Sequence, residues 1–98
     1  MTPRLVFRPQ AEAELFDARD WYETERVGLG AVFVAALEAT VTAILQSPLA
    51  YPRVKGDTRR ALVRRFPYAV YFHPTGDEII VLAVIHGRRH PRHWRSRR

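Results

Sequence analysis

The sequence predicts an α+β protein in which an N-terminal strand and an α-helical hairpin pack on an antiparallel sheet, in the order β-α-α-β-β-β. Three observations predict this architecture. The chain starts with a short β-prone segment, continues with two helically periodic segments separated by two glycines, and ends with runs of β-branched and aromatic residues. With 98 residues, it has room for one domain over residues 1–98.

The first half predicts the strand and the hairpin. Residues 4–8 are β-prone, and Pro9 suits the first turn of a helix. Apolar residues then recur at helical spacing to about Arg26, after which two glycines within residues 27–30 end the helix. Residues 31–46 resume the helical period with a wider apolar surface, which predicts a more buried second helix.

The second half predicts a loop followed by three strands. Prolines and a glycine in residues 47–57 indicate an irregular loop. Strands are expected at Thr58–Arg65, Tyr68–His73 and Ile79–Ile85, with residues 74–77 as a hairpin connection. Because Ile79–Ile85 is apolar throughout, both of its faces should be covered. The helices can cover one, so the other requires the C-terminal tail, a second subunit or a partner.

Composition excludes several classes of protein. A hydrophobic fraction of 47% with 11% aromatic residues is too high for intrinsic disorder. Charged residues interrupt every apolar run before the ~20 residues that a bilayer span requires, so no membrane interaction is expected. The absence of cysteine excludes disulfides and thiolate metal sites. Without a secretory pattern at the start, the chain is expected to be cytoplasmic.

Positive charge is concentrated in the second half. Residues 1–46 carry a net charge of −3, whereas residues 47–98 carry +9. All but one of the 16 basic residues are arginines, whose planar groups suit carboxylate, phosphate or stacked-base partners. Six arginines lie in the tail, residues 88–98. This distribution predicts a basic docking surface at the C-terminal end of the chain.

The acidic residues of the first helix are expected to form a solvated face, because no Glu-x-x-His motif accompanies them. No metal site and no cofactor are predicted. His86 ends the last predicted strand beside Arg88 and Arg89, where an imidazole could accept a proton while arginines hold a phosphate. A structural role for His86 is the alternative.

The remaining candidates are the paired arginines and the tail tryptophan. Arg60 and Arg64 are expected on one side of a strand with Leu62, which would allow a phosphate-binding stripe. Alternatively, these arginines form a solvated face or pair with the acids of the first helix. Trp94 either stacks on a base or anchors the tail in the core.

Several segments resemble the RelE/ParE superfamily of toxins from type II toxin-antitoxin systems, over nearly the whole chain. The shorter matches are Pro9-Gln10-Ala11, Trp21-Tyr22 and Ser47-Pro48. The most specific are residues 64–71 (RRFPYAVY) and 84–94 (VIHGRRHPRHW), which are similar to the ParE branch. The resemblance implies the hairpin-on-sheet fold and a cytoplasmic toxin that a cognate antitoxin neutralises by laying a segment over it. An acidic, amphipathic segment would suit the +9 half of this chain.

The two branches of the superfamily imply different targets. ParE-like members are associated with inhibition of DNA gyrase, which would make this chain a binding protein rather than an enzyme. RelE-like members cut messenger RNA on the ribosome, and here His86, Arg64 and Arg88 would be the catalytic residues. A plain basic nucleic-acid-binding module is the third alternative. For binding a target or antitoxin, the predicted residues are Arg60, Arg64, Arg65, Arg88, Arg89, His90, Arg92 and Trp94.

Overall fold

The computed structural model describes residues 3–87 and has the predicted architecture of a strand, two helices and a mostly antiparallel sheet. The two helices are α1 (Pro9–Glu25) and α2 (Leu29–Gln46). The strands are β1 (Arg4–Phe7), β2 (Arg53–Lys55), β3 (Thr58–Leu62), β4 (Tyr68–Thr75) and β5 (Glu78–His86). A short 3-10 helix, Pro48–Ala50, follows α2.

The five strands form one sheet in the order β1-β5-β4-β3-β2. Neighbouring strands are antiparallel except for β1, which lies parallel to β5. The predicted antiparallel pairing of the C-terminal strands is confirmed, and the direction of the first strand was not part of the prediction. No hairpin joins β1 to β5, so nothing in the local chain imposes an antiparallel direction. Backbone hydrogen bonds and an ion pair between Arg4 and Glu78 fix the N-terminal strand at this edge.

The strands differ from the prediction by more than one residue in three places. Residues 53–55, expected in a loop, form the edge strand β2 on β3. The strand β3 ends at Leu62 rather than Arg65, because the chain turns through residues 63–66. The strand β4 continues through Pro74 to Thr75. Proline is tolerated there because the pairing of β3 with β4 stops at Phe72, beyond which β4 needs no donor on that side.

The helices form a hairpin on one face of the sheet. Buried side chains of α1 and α2 meet sheet residues in a core that includes Tyr22, Phe33, Leu37, Phe72 and Val81. By length and composition, α2 could cross a membrane, with a mean hydropathy of 1.8. In the fold it serves as a core helix, but only 28% of it is buried, so it leaves apolar side chains at the surface.

The second face of the sheet carries a separate apolar cluster on β4 and β5, formed by Ala69, Tyr71, Leu82, Ala83 and Ile85. These side chains are at most 3% exposed. The strand pairing skips Leu82, since Tyr71 pairs with Ala83 while the next residue, Phe72, pairs with Val81. This bulge turns both Leu82 and Ala83 toward the same cluster. The expectation that β5 is apolar on two buried faces is confirmed, and the five side chains of this cluster expose almost no apolar surface.

Candidate binding grooves

Two grooves flank the helical hairpin. The first, which we call the α1 groove, has a volume of about 700 Å³ and lies between α1 and the adjacent ends of β4 and β5. From α1 it is lined by Glu14, Asp17, Ala18, Trp21 and Tyr22. From the sheet it is lined by Pro67, Tyr68, Val84 and His86. It therefore combines two carboxylates, three aromatic rings and an imidazole.

The side-chain carboxylate of Glu14 has a structural role that the sequence did not indicate. Its Oε1 accepts a hydrogen bond from the backbone N–H of Val84 at 3.0 Å. The strand β1 pairs with the edge of β5 only as far as Phe7, which lies opposite Val81. Val84 therefore lies beyond the end of β1. The Glu14 carboxylate, rather than a carbonyl of β1, accepts the hydrogen bond from this N–H group. Five of the six acidic residues of α1 are exposed, as predicted, and Glu14 is the half-buried exception.

Aromatic side chains separate the two grooves. The ring of Tyr22 stacks on Phe33 with a centroid distance of 5.2 Å and meets Phe66 edge-to-face at 4.9 Å. The ring of Tyr68 lies 5.6 Å from that of His86. Burial raises the pKa of the Tyr22 hydroxyl above its usual value, and the neighbouring Tyr68 adds to this effect. This cluster fixes the end of the hairpin against the turn between β3 and β4.

The second groove, which we call the α2 groove, is shallower and has a volume of about 590 Å³. Small apolar side chains of α2 form its floor, with Thr40 as the only polar residue of the helix in it. The opposite wall consists of Tyr51, Leu62, Phe66, Arg64 and Arg65. Since Val32 and Leu62 are 50% and 69% exposed, this is an apolar surface with arginines at its rim.

Arginines predicted on one strand occupy different positions. Arg60 is exposed on β3, opposite Tyr71 of β4. Arg64 and Arg65 lie in the turn after β3, which Phe66 closes by donating its N–H to the carbonyl of Val63 at 3.4 Å. The expected stripe of Arg60 and Arg64 along one strand face was wrong, because the strand ends before Arg64.

The backbone of Arg65 has a positive φ of 72°. Such a conformation is unfavourable for a residue with a Cβ and is more often found at glycine. It is the only residue other than glycine with a positive φ within residues 3–87. The turn thus holds a strained arginine, exposed at the rim of the α2 groove, and strain of this kind concentrates at functional sites.

Arg59, next to the predicted site residues, has a structural role. Its Nη1 donates to the carbonyl of Tyr51 at 2.6 Å and to that of Leu49 at 3.3 Å. These bonds attach the segment after α2 to β3. They explain why only one arginine of the Arg59-Arg60 pair is available at the surface.

His86 and Arg64, proposed together for a nuclease site, line different grooves. His86 belongs to the α1 groove and Arg64 to the α2 groove. The other predicted site residues, Arg88, Arg89, His90, Arg92 and Trp94, lie outside the described part of the chain. Among residues 3–87, no three histidine or acidic side chains cluster closely enough to hold a metal ion.

Comparison with known proteins identifies the family. Residues 5–91 match the family model described as "ParE toxin of type II toxin-antitoxin system, parDE". A chain of the chromosomal ParDE toxin-antitoxin system from P. aeruginosa has the same fold, with a TM-score of 0.74 at 21% sequence identity. The match covers 87% of this chain and 96% of that one. No curated protein sequence matches significantly.

The fold is thus that of a type II toxin, as the sequence resemblance implied. Because the family model covers most of the chain, the protein belongs to the ParE toxin family of type II toxin-antitoxin systems. An antitoxin partner is implied by this membership.

Proposed function

We propose that this protein is a cytoplasmic ParE toxin that inhibits DNA gyrase by binding it, and that a cognate antitoxin neutralises it. The α2 groove is the observation that carries this proposal. It offers an apolar floor formed by one face of α2, with Arg64 and Arg65 at its rim. An amphipathic helix with acidic residues beside its apolar stripe would bury that floor and pair with the arginines.

The exposed arginines also fit a role in binding the target. Arg60, Arg64 and Arg65 each present a guanidinium group to solvent. None of them is joined to a helix α1 carboxylate by an ion pair recorded within residues 3–87. Arginine is suited to carboxylates and phosphates, both of which a complex of gyrase and DNA presents. We therefore propose these three residues as target contacts, together with Arg88, Arg89, His90, Arg92 and Trp94.

Binding of gyrase is favoured over cleavage of messenger RNA by the distribution of the side chains. A general acid or base must lie within hydrogen-bond reach of the group it serves, and the phosphate must be held at the same place. His86 and Arg64 face separate grooves, with the aromatic cluster between them. A nuclease that used His86 together with Arg64 would require both side chains in one groove.

Expression in a permissive bacterial host tests the choice between these targets. We expect growth arrest with accumulating DNA breaks, and we expect His86→Ala to remain toxic. Truncation after Gly87 should reduce toxicity, because it removes the proposed tail contacts. Loss of toxicity in His86→Ala, with translated transcripts cut by the parent protein, would support the nuclease instead.

A further inference from the structure

The strand β1 forms one edge of the sheet, and no strand in the described part of the chain pairs with its outer side. On the inner side, Arg8 donates its N–H to the carbonyl of Val81 at 3.0 Å, and Arg4 donates in the same direction at the start of the strand. Because alternate residues of a strand direct their backbone groups to the same side, those of Leu5 and Phe7 point away from β5. Their N–H and C=O groups can therefore pair with an added strand.

The opposite edge of the sheet, β2, is less suited to an added strand. Its three residues are all exposed, and its pairing with β3 is irregular between the charged residues Arg53 and Lys55. Short length, charge and irregular pairing are features that protect a sheet edge from further pairing. By contrast, β1 pairs regularly along four residues, of which residues 5–7 are all apolar. Strand addition is therefore expected at β1 rather than at β2.

The arginines at both ends of β1 restrict which strand can be added. The side chains of Leu5 and Phe7 pack against the core on the helix side of the sheet. Side chains alternate along a strand, so those of Arg4, Val6 and Arg8 lie on the other side. Both arginines are exposed, and Arg8 has no ion pair within residues 3–87. An added strand must therefore place its own side chains opposite a positive charge at each end.

A second copy of this chain is a poor occupant of this edge. Antiparallel pairing of two β1 strands centred on Val6 would place Arg4 of each copy opposite Arg8 of the other. Like charges directly opposite one another destabilise a strand pair, and each copy carries a formal net charge of +6. A strand with acidic residues at the corresponding positions would form pairs of opposite charge instead. The edge thus favours an acidic partner over its own copy.

We propose that the outer edge of β1 is the docking site for an extended, acidic segment of the cognate antitoxin, which adds a strand to the sheet. This segment carries an acidic residue opposite Arg8 and an apolar residue opposite Val6. The antitoxin is favoured over the target, because strand addition requires a segment whose own backbone groups are unpaired before binding, as in segments that fold on binding. The acidic character of the antitoxin rests on the proposed function, and the edge provides a contact separate from the α2 groove.

Amide hydrogen exchange of the full-length chain, measured by NMR with and without the cognate antitoxin, tests this proposal. Without the antitoxin, the Leu5 and Phe7 amides should exchange at least tenfold faster than the Val6 amide, which faces β5. Saturation with the antitoxin should slow the exchange of Leu5 and Phe7 at least tenfold. Failure of the antitoxin to bind would contradict the proposed function and strand addition together, whereas binding without slower exchange would contradict strand addition alone.

Charge reversal at the two edges of the sheet gives a matched pair of variants. Arg8→Glu should reduce the affinity for the antitoxin, measured by calorimetry, at least fivefold more than Arg53→Glu, which reverses an exposed charge on β2. Equal losses would show that the antitoxin responds only to the net charge of the chain. Protection of Leu5 and Phe7 that grows with protein concentration in the absence of antitoxin would assign the edge to a second copy. Protection by purified gyrase but not by the antitoxin would assign it to the target.

Discussion

The carboxylate of Glu23 on α1 accepts a hydrogen bond from the backbone N–H of Gly30 on α2, at 3.0 Å. Its other oxygen accepts from the N–H of Gly28, also at 3.0 Å. One side chain thus satisfies two amides at the start of α2, where no residue of that helix caps them. A Cβ at Gly30 would lie 2.8 Å from the carbonyl oxygen of Arg19, so glycine is what allows the helices to approach this closely.

Replacing Glu23 with alanine is expected to destabilise the hairpin. Two amides at the positive end of α2 would lose their acceptor, and the loss of a helix cap costs about 1 kcal/mol. The free energy of unfolding, measured by urea denaturation, should fall by about that amount. Glu25→Ala, at the exposed end of α1, is the matched control and should change stability by less than about 0.5 kcal/mol. Equal losses in the two variants would contradict the capping role.

Arg65→Gly is expected to stabilise the protein and to weaken its biological activity. Glycine relieves the left-handed backbone conformation at φ 72°, a gain of about 1 kcal/mol. Arg64→Gly is the control, because Arg64 does not have a positive φ and glycine there only adds freedom to the unfolded chain. Thermal denaturation should show a higher Tm for the first variant and an unchanged or lower Tm for the second. A lower Tm for Arg65→Gly would show that its side chain contributes more than the strain costs.

Stability should decline at alkaline pH through Tyr22. Its pKa is raised from the ordinary value of 10.0 in the folded state, so the folded protein retains a proton that the unfolded chain loses. This contribution is complete below pH 10 and is lost as the pH rises toward and through the folded-state pKa. The free energy of unfolding of Tyr22→Phe should therefore depend less steeply on pH above about 10. Superimposable pH profiles of the parent and the variant would contradict this assignment.

A charge placed in the α2 groove is expected to block the antitoxin. Leu62→Glu adds a negative charge to an apolar wall that, under the proposed function, meets an acidic amphipathic segment. Affinity for the cognate antitoxin, measured by calorimetry, should fall at least tenfold. Leu49→Glu is the matched control, because Leu49 is 70% exposed, as Leu62 is at 69%, but lies outside the groove. Equal affinities for the two variants would place the antitoxin elsewhere.

Much of the fold could be predicted because its strongest signals are local. The helical hairpin follows from two periodic segments around Gly28 and Gly30, and β5 follows from its unbroken apolar run. The edge strand β2 could not be predicted, since its three residues contain only one apolar side chain and extend because β3 pairs with them. The end of β4 was predicted too early for a similar reason. Whether a strand can continue through Pro74 depends on where the neighbouring strand β3 stops.

The candidate sites were less predictable, because they depend on tertiary placement. The sequence identified Arg64, Arg65 and His86 as residues of interest. It did not separate them into two grooves, since that depends on the turn after β3 and on the position of the hairpin. Glu14 was predicted to be solvated like the other acidic residues of α1. It accepts a hydrogen bond from Val84 because β1 ends at Phe7 and does not reach that residue. The apolar wall residue Leu62 gave no sequence signal of its exposure.

The most direct test of the proposed toxin activity is a supercoiling assay with the purified protein and purified DNA gyrase. We predict that the protein, in molar excess, prevents gyrase from supercoiling relaxed plasmid DNA, and that prior addition of the cognate antitoxin restores supercoiling. Undiminished supercoiling at the same excess, together with cleavage of messenger RNA in a translating extract, would contradict the proposal.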